Sequence, residues 1–232
     1  MIPKIIHQTW KSENVPVRWR KFVSKCQKLN PEWEYRLWTD HANNDFVEKE
    51  FPHFYNIYSG FTKNIMRADV VRYLIMNKIG GVYLDLDYEV LKPFDFTGFS
   101  VILPMNRSRT YGDPEDTLGN CILASVPGHI FWSDVLQALR ENPVIVKEYT
   151  DVVCATGPML LTRIYNTGNY PDIHTPDRCF FHPSPPKNRN EYNDLVNNGI
   201  TVGIHHGWGS WKERFTKTYL KRKVKKILKH ND

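Results

Sequence analysis

Residues 80–90, GGVYLDLDYEV, set two aspartates, Asp85 and Asp87, inside a run that otherwise has the composition of a buried strand. Carboxylates are costly to desolvate unless a cation meets them, so the pair calls for a partner. With a strand running from Val82 to Asp87, side chains alternate. Val82, Leu84 and Leu86 then share one face, and Tyr83, Asp85 and Asp87 the other. Both carboxylates point the same way at a strand end. A divalent cation such as Mn²⁺ or Mg²⁺ suits them, since it takes oxygen ligands and keeps further positions for water or phosphate oxygens.

Upstream, TKNIMRADVVRYLIMNKIGG predicts a helix that Gly80 or Gly81 ends. Asp69 and Arg72 are three apart and so lie on one helical face. An aspartate there accepts from sugar hydroxyls, and an arginine donates to hydroxyl or phosphate oxygens. Further upstream, PKIIHQTW and EYRLWTD predict strands, and VPVRWRKFVSKCQKLNP the helix between them. The segment ANNDFVEKEFPHFYNIYSGF is helical but broken at Pro52. Downstream, SVILPM and NCILASVPGH predict strands on either side of a polar loop, NRSRTYGDPEDTLG. The helices HIFWSDVLQALREN and GPMLLTRIYN come next. DIHTPDRCFFHPSPP is irregular with one strand, and TVGIHHGWGSW carries a final strand. This alternation argues an α/β chain with a mostly parallel sheet and helices on its faces. Ligands of such sheets sit at the carboxyl ends of strands, where Asp85 and Asp87 fall.

In order along the chain, IPKIIHQTW, RADVVRYLIMNKIGGVYLDLD, GNCILASVPGH, ATGP and HHGWGSW resemble glycosyltransferase family 32. These are sugar transferases with a DXD motif, related to fungal Golgi α-mannosyltransferases and bacterial capsule enzymes. More distantly they are similar to the catalytic domains of clostridial glucosylating toxins. The resemblance implies a GT-A fold, a single Rossmann-like mixed sheet flanked by helices. It further implies a nucleotide-sugar donor (a UDP- or GDP-hexose), Mn²⁺ or Mg²⁺, and transfer with retention to a glycan or lipid-linked glycan.

Carried onto matching positions, Trp10 stacks on the nucleobase, with His7 and Gln8 at the same pocket. Asp69, Arg72, Asp85 and Asp87 carry the chemistry. Asp69 and Arg72 hold the donor sugar with Tyr83 beside them, Asp85 touches ribose or sugar, and Asp87 ligates the metal. Asn120 lies near the sugar, and Ser210 and Trp211 close over the diphosphate. Either His205 or His206 supplies the second metal contact.

The net charge of +6 is concentrated in the C-terminal 21 residues, which hold nine Lys/Arg against Glu213 and Asp232. The remainder is close to neutral, which argues against a nucleic-acid-binding face on the main domain. The expected organisation is therefore a transferase domain over 1–211 and a basic amphipathic helix over 212–232. Its 212–229 portion has the pattern of a helix lying on an anionic membrane surface. Four dispersed cysteines, and no signal sequence or spanning segment, read as a cytoplasmic protein, peripheral at most on the inner face of a membrane. Two rivals stand beside the transferase. One is a haloacid-dehalogenase-type phosphatase, disfavoured because Glu89 stands where that motif needs Thr or Val. The other is a catalytically inactive sugar-binding protein.

Overall fold

Helix α4 in chain order, Asn64–Lys78, is buried around most of its circumference, from Met66 through Met76. A helix that is apolar on every side belongs inside a protein. That is why Asp69 and Arg72, which the spacing puts on one helical face, lie in the core at 4% and 3% exposure. In this computed structural model, residues 1–106, 117–141, 149–182 and 184–209 are described. The chain enters through β1 (Ile5–Thr9), α1 (Val17–Leu29), β2 (Glu34–Trp38), α2 (Asp40–Glu50) and α3 (Pro52–Gly60). After α4 come β3 (Gly81–Leu84), β4 (Tyr88–Val90), β5 (Val101–Ile102), β6 (Met105–Asn106), β7 (Thr117–Leu118) and β8 (Ile122–Ser125). Then follow α5 (Ile130–Glu141), α6 (Tyr149–Ala155), α7 (Pro158–Thr167), β9 (Ile173–His174), α8 (Arg178–Phe181), α9 (Arg189–Asn197) and β10 (Gly203–His205).

The main sheet has the order β2-β1-β3-β8-β5-β9. Strands β2, β1 and β3 are parallel, β8 runs against both β3 and β5, and β9 is parallel to β5. One reversed strand among six makes the sheet mixed and mostly parallel. The largest apolar cluster joins α4, α5 and α7 to one side of it, around Tyr73, Trp132 and Leu161. A second joins Ile6, Val82, Leu84, Ile122 and Phe181.

Strand β3 stops at Leu84. Asp85 to Asp87 form a turn, closed by the Tyr88 N–H donating to the Asp85 carbonyl at 3.0 Å. The uninterrupted strand to Asp87 is therefore a correction, and the face-sharing argument does not apply to the aspartates. After the turn the chain joins a second, smaller sheet, β4 with β10 antiparallel. Helices α6, α8 and α9 are not among the elements the sequence pattern predicts, because helices of seven, four and nine residues are too short to show a helical period.

The α4–β3 elbow depends on two glycines with positive φ, Gly80 at 71° and Gly81 at 91°. A Cβ on Gly81 would stand 2.5 Å from the Ile5 carbonyl oxygen, so the elbow presses directly on β1. His7 locks the same junction from inside. Its Nε2 lies 3.0 Å from the Gly80 carbonyl, and its Nδ1 accepts from Trp38 Nε1 at 3.0 Å. That pairing fixes a neutral ring protonated on Nε2. Burial lowers its pKa to about 4, against an ordinary value of 6.5.

Because the folded value is depressed, the unfolded chain binds the extra proton between those two values. Stability from a neutral His7 is full above pH 6.5 and is lost as pH falls towards 4. The loss amounts to about 3 kcal/mol. Urea unfolding at stepped pH should show that slope, and His7→Gln should remove its part of it.

Candidate active site

The turn after β3 faces the end of β10, and the facing residues come from segments far apart in sequence. Strand β10 pairs His205 with Tyr88, which brings its imidazole over the aspartates. His205 Nε2 lies 3.4 Å from Asp87 Oδ1 and 3.8 Å from Asp85 Oδ2. One ligand atom from each of the three residues falls within 4.8 Å of the others. Two carboxylate oxygens and an imidazole nitrogen are a donor set suited to Mn²⁺ or Mg²⁺, so the residues fit the expected metal.

Burial alone would push Asp87 up. Hydrogen bonds from His205 and from the Trp208 N–H, the latter at 2.7 Å, outweigh it and hold its carboxyl below the usual range. Burial would lower His205, but Cys121 and Asp87 raise it well above its ordinary value. Without metal, Asp87 thus favours a proton on His205, and ligation through Nε2 requires that nitrogen to be free of one.

His206 turns away from this cluster. Its Nε2 bonds Glu89 Oε2 at 3.0 Å, and its ring stacks on Phe22 with centres 5.0 Å apart. Of the two histidines left open by the sequence, only His205 faces the aspartates, and His206 as a ligand is corrected on that ground. Glu89 also receives Lys25 at 2.9 Å, and so ties α1 to the site.

Behind Asp85 lies a buried polar network. Arg72 reaches Asp69 Oδ1 and Asp85 Oδ1, each at 3.2 Å, and donates to the Asn120 carbonyl at 2.7 Å. Its guanidinium carbon sits 4.5 Å from the Tyr83 ring centre. Tyr83 in turn donates from its hydroxyl to Asp85 Oδ1 at 3.1 Å and stands 3.0 Å from Thr9 Oγ1. Asp69 accepts from Asn120 Nδ2 at 3.0 Å and Thr156 Oγ1 at 3.1 Å. Burial raises Asp69 to about 7, with Arg72 opposing a further rise. Burial also raises Asp85, again against Arg72. Thr156 was missed by sequence reasoning, although the ATGP segment that carries it was noticed.

At the other end, Trp10 is half-buried, edge-on to Trp19 with ring centres 4.7 Å apart. His7 is not at this pocket. It is fully buried with both nitrogens taken, a correction to its reading as a donor contact. Gln8, at 1% exposure, donates to the Asp85 carbonyl at 3.3 Å and accepts from Tyr35, which makes it a brace beneath the turn. Ser210 and Trp211 lie outside the described residues, as do the tail 212–232 and most of the polar loop. Trp208 packs near the aspartates instead, against Phe22 and His206.

Residues 16–108 match the family model described as a glycosyltransferase sugar-binding region containing the DXD motif. Over that segment, which includes Asp85 and Asp87, the chain is similar to this glycosyltransferase family. Among curated relatives it is 35% identical to mannosyl phosphorylinositol ceramide synthase of Saccharomyces cerevisiae over 71% of this chain and 42% of that protein. It is 37% identical to inositol phosphoceramide mannosyltransferase 3 of Schizosaccharomyces pombe, over 71% of this chain and 45% of that one. The chain therefore spans less than half the length of these two relatives. Among solved structures it superimposes on the PaToxG glycosyltransferase with a TM-score of 0.54. That alignment has 20% identity and covers 72% of this chain and 69% of the other. The chain thus has the GT-A fold that its motifs implied.

Proposed function

We propose that this DXD glycosyltransferase moves a hexose, mannose first among the candidates, from a nucleoside diphosphate sugar to a hydroxyl of an inositol-phosphate lipid. The observation that carries the reading is the convergence of Asp85, Asp87 and His205 beside the Arg72 network. Mannose and the lipid acceptor are supported by the names of the two yeast relatives. Asp87, Asp85 and His205 would hold a divalent ion, which as a Lewis acid would offset charge on the departing diphosphate.

The chain's own residues do the rest. Arg72 and Tyr83 fix the Asp85 carboxylate, so its free oxygen meets a ligand in one orientation, which contributes by positioning. Half-buried Trp10 offers a ring to a nucleobase. The Trp208 N–H holds Asp87 from the far side. Retention of anomeric configuration belongs to the same reading and is open to product NMR. A lipid acceptor would bring the protein to a membrane surface. Among the described residues no helix is long and apolar enough to cross one.

Incubating the chain with Mn²⁺, a panel of UDP- and GDP-hexoses and inositol phosphoceramide should release nucleoside diphosphate and yield a mannosylated lipid. Absence of diphosphate release from every donor, by a folded protein, would overturn the enzyme reading in favour of a sugar-binding protein. Release from simple phosphate esters instead would favour the phosphatase.

A further inference from the structure

Arg18, in the first turn of α1, is exposed and makes no hydrogen bond or ion pair among the described residues. Its guanidinium still has a defined place. The central carbon lies 4.5 Å from the Trp19 ring centre and 5.5 Å from that of Trp208. Trp19 is buried and clusters with Leu86, the residue between the two aspartates. Trp208 gives its N–H to Asp87. Lys21, one turn further along α1, stands 4.9 Å from the Phe22 ring centre, so the same side of the site carries a second cation. A planar cation resting on aromatic faces is already oriented, and it loses little more freedom when its N–H groups meet a ligand.

The charge balance of the site asks for such a group. Arg72 is spent on Asp69 and Asp85. A divalent ion at Asp85, Asp87 and His205 would be spent largely on the two carboxylates that bind it. A phosphorylated ligand entering this cluster brings more negative charge than these two cations, already shared with carboxylates, would offset. Oriented charge-assisted donors are the usual answer to phosphate oxygens, and Arg presents a fork that matches them.

We infer that Arg18 binds a phosphate group of a ligand held at the aspartate cluster, its guanidinium steadied on Trp19 and Trp208. The inference rests on the transferase reading above. The phosphate has two sources of the same chemistry, the diphosphate of the donor or the phosphate of a phosphorylated acceptor.

The test is calorimetric titration of wild type, Arg18→Met and Arg18→Lys with UDP, GDP and their parent nucleosides in Mn²⁺. It is paired with transfer kinetics on inositol phosphoceramide. Methionine keeps an aliphatic stem over the rings and removes the charge; lysine keeps the charge and loses the fork. Diphosphate affinity should fall about tenfold in Arg18→Met and recover in part in Arg18→Lys, with nucleoside affinity alike in all three. If diphosphate affinity is unchanged but KM for the lipid rises by a similar factor in Arg18→Met only, the phosphate is the acceptor's and the assignment of Arg18 stands.

The inference is overturned if Arg18→Met matches wild type in both measurements. It is equally overturned if diphosphate and nucleoside affinities fall together, which would mean lost packing under Trp208. A wild-type protein that binds neither diphosphate nor lipid removes the transferase reading, and this inference with it, before any variant is compared.

Discussion

Asp87→Asn should abolish metal-dependent transfer while leaving the fold in place. Asp87 works in two directions, with Oδ1 facing His205 at 3.4 Å and Oδ2 accepting the Trp208 N–H at 2.7 Å. Asparagine has the same shape, and its carbonyl oxygen can keep the Trp208 bond. Its amide group would then face His205, which donates to Asp87 in the metal-free protein, so a donor meets a donor where a carboxylate stood. The ligand charge is lost as well. Altering even a supporting group around a metal commonly costs about 10–100-fold in affinity or activity, so removing a direct ligand should cost at least ~100-fold.

The fold should survive because no core packing changes. Mn²⁺ should raise the melting temperature of wild type by mass action, and the variant should show no such rise. Wild-type turnover by Asp87→Asn at saturating Mn²⁺ would remove the metal site from the mechanism.

That Asp85 and Asp87 belong to one cluster is legible from the sequence, although the strand geometry it suggests is not the one observed. Alternation along a strand placed the two carboxylates on one face. They converge instead because the strand ends at Leu84 and a turn redirects the chain towards β10. A strand of four residues, a turn of three and another strand of three look unbroken to a period-two pattern. The burial of Asp69 and Arg72 was hidden for a related reason. Spacing shows that they share a helical face, but whether that face meets water depends on what packs against it. Only the sheet topology puts β8 and Asn120 there. His7 misled in the opposite sense. A histidine in the HQTW segment invites a ligand role, and nothing local shows that the Gly80 carbonyl and Trp38 already take both its nitrogens. Local pattern carried residue chemistry well, and it failed where long-range pairing decides exposure.

Arg72→Met tests that buried network most directly, and a loss of about 3–5 kcal/mol in unfolding free energy is expected. The guanidinium joins two carboxylates and a backbone carbonyl, and it also donates through Nε to the Ala68 carbonyl at 3.1 Å. Methionine fills much of the volume over Tyr83 but leaves Asp69 and Asp85 without their counter-charge. Both carboxyls already sit above their ordinary pKa values through burial, with Arg72 the main opposing influence. Without it they rise further. A carboxyl with a raised folded pKa is protonated in the folded state where the unfolded chain is ionised. Its penalty is absent below the unfolded value near 4 and grows as pH rises towards the folded one. Wild type carries the same penalty up to its own folded value, about 7 for Asp69, and only the variant's goes on growing beyond it, so the deficit of Arg72→Met should be larger at pH 8 than at pH 5. Urea unfolding of both proteins at pH 5 and pH 8 measures this. A deficit that stays constant across that range would mean the guanidinium acts through packing on Tyr83, with its charge contributing nothing to the stability difference.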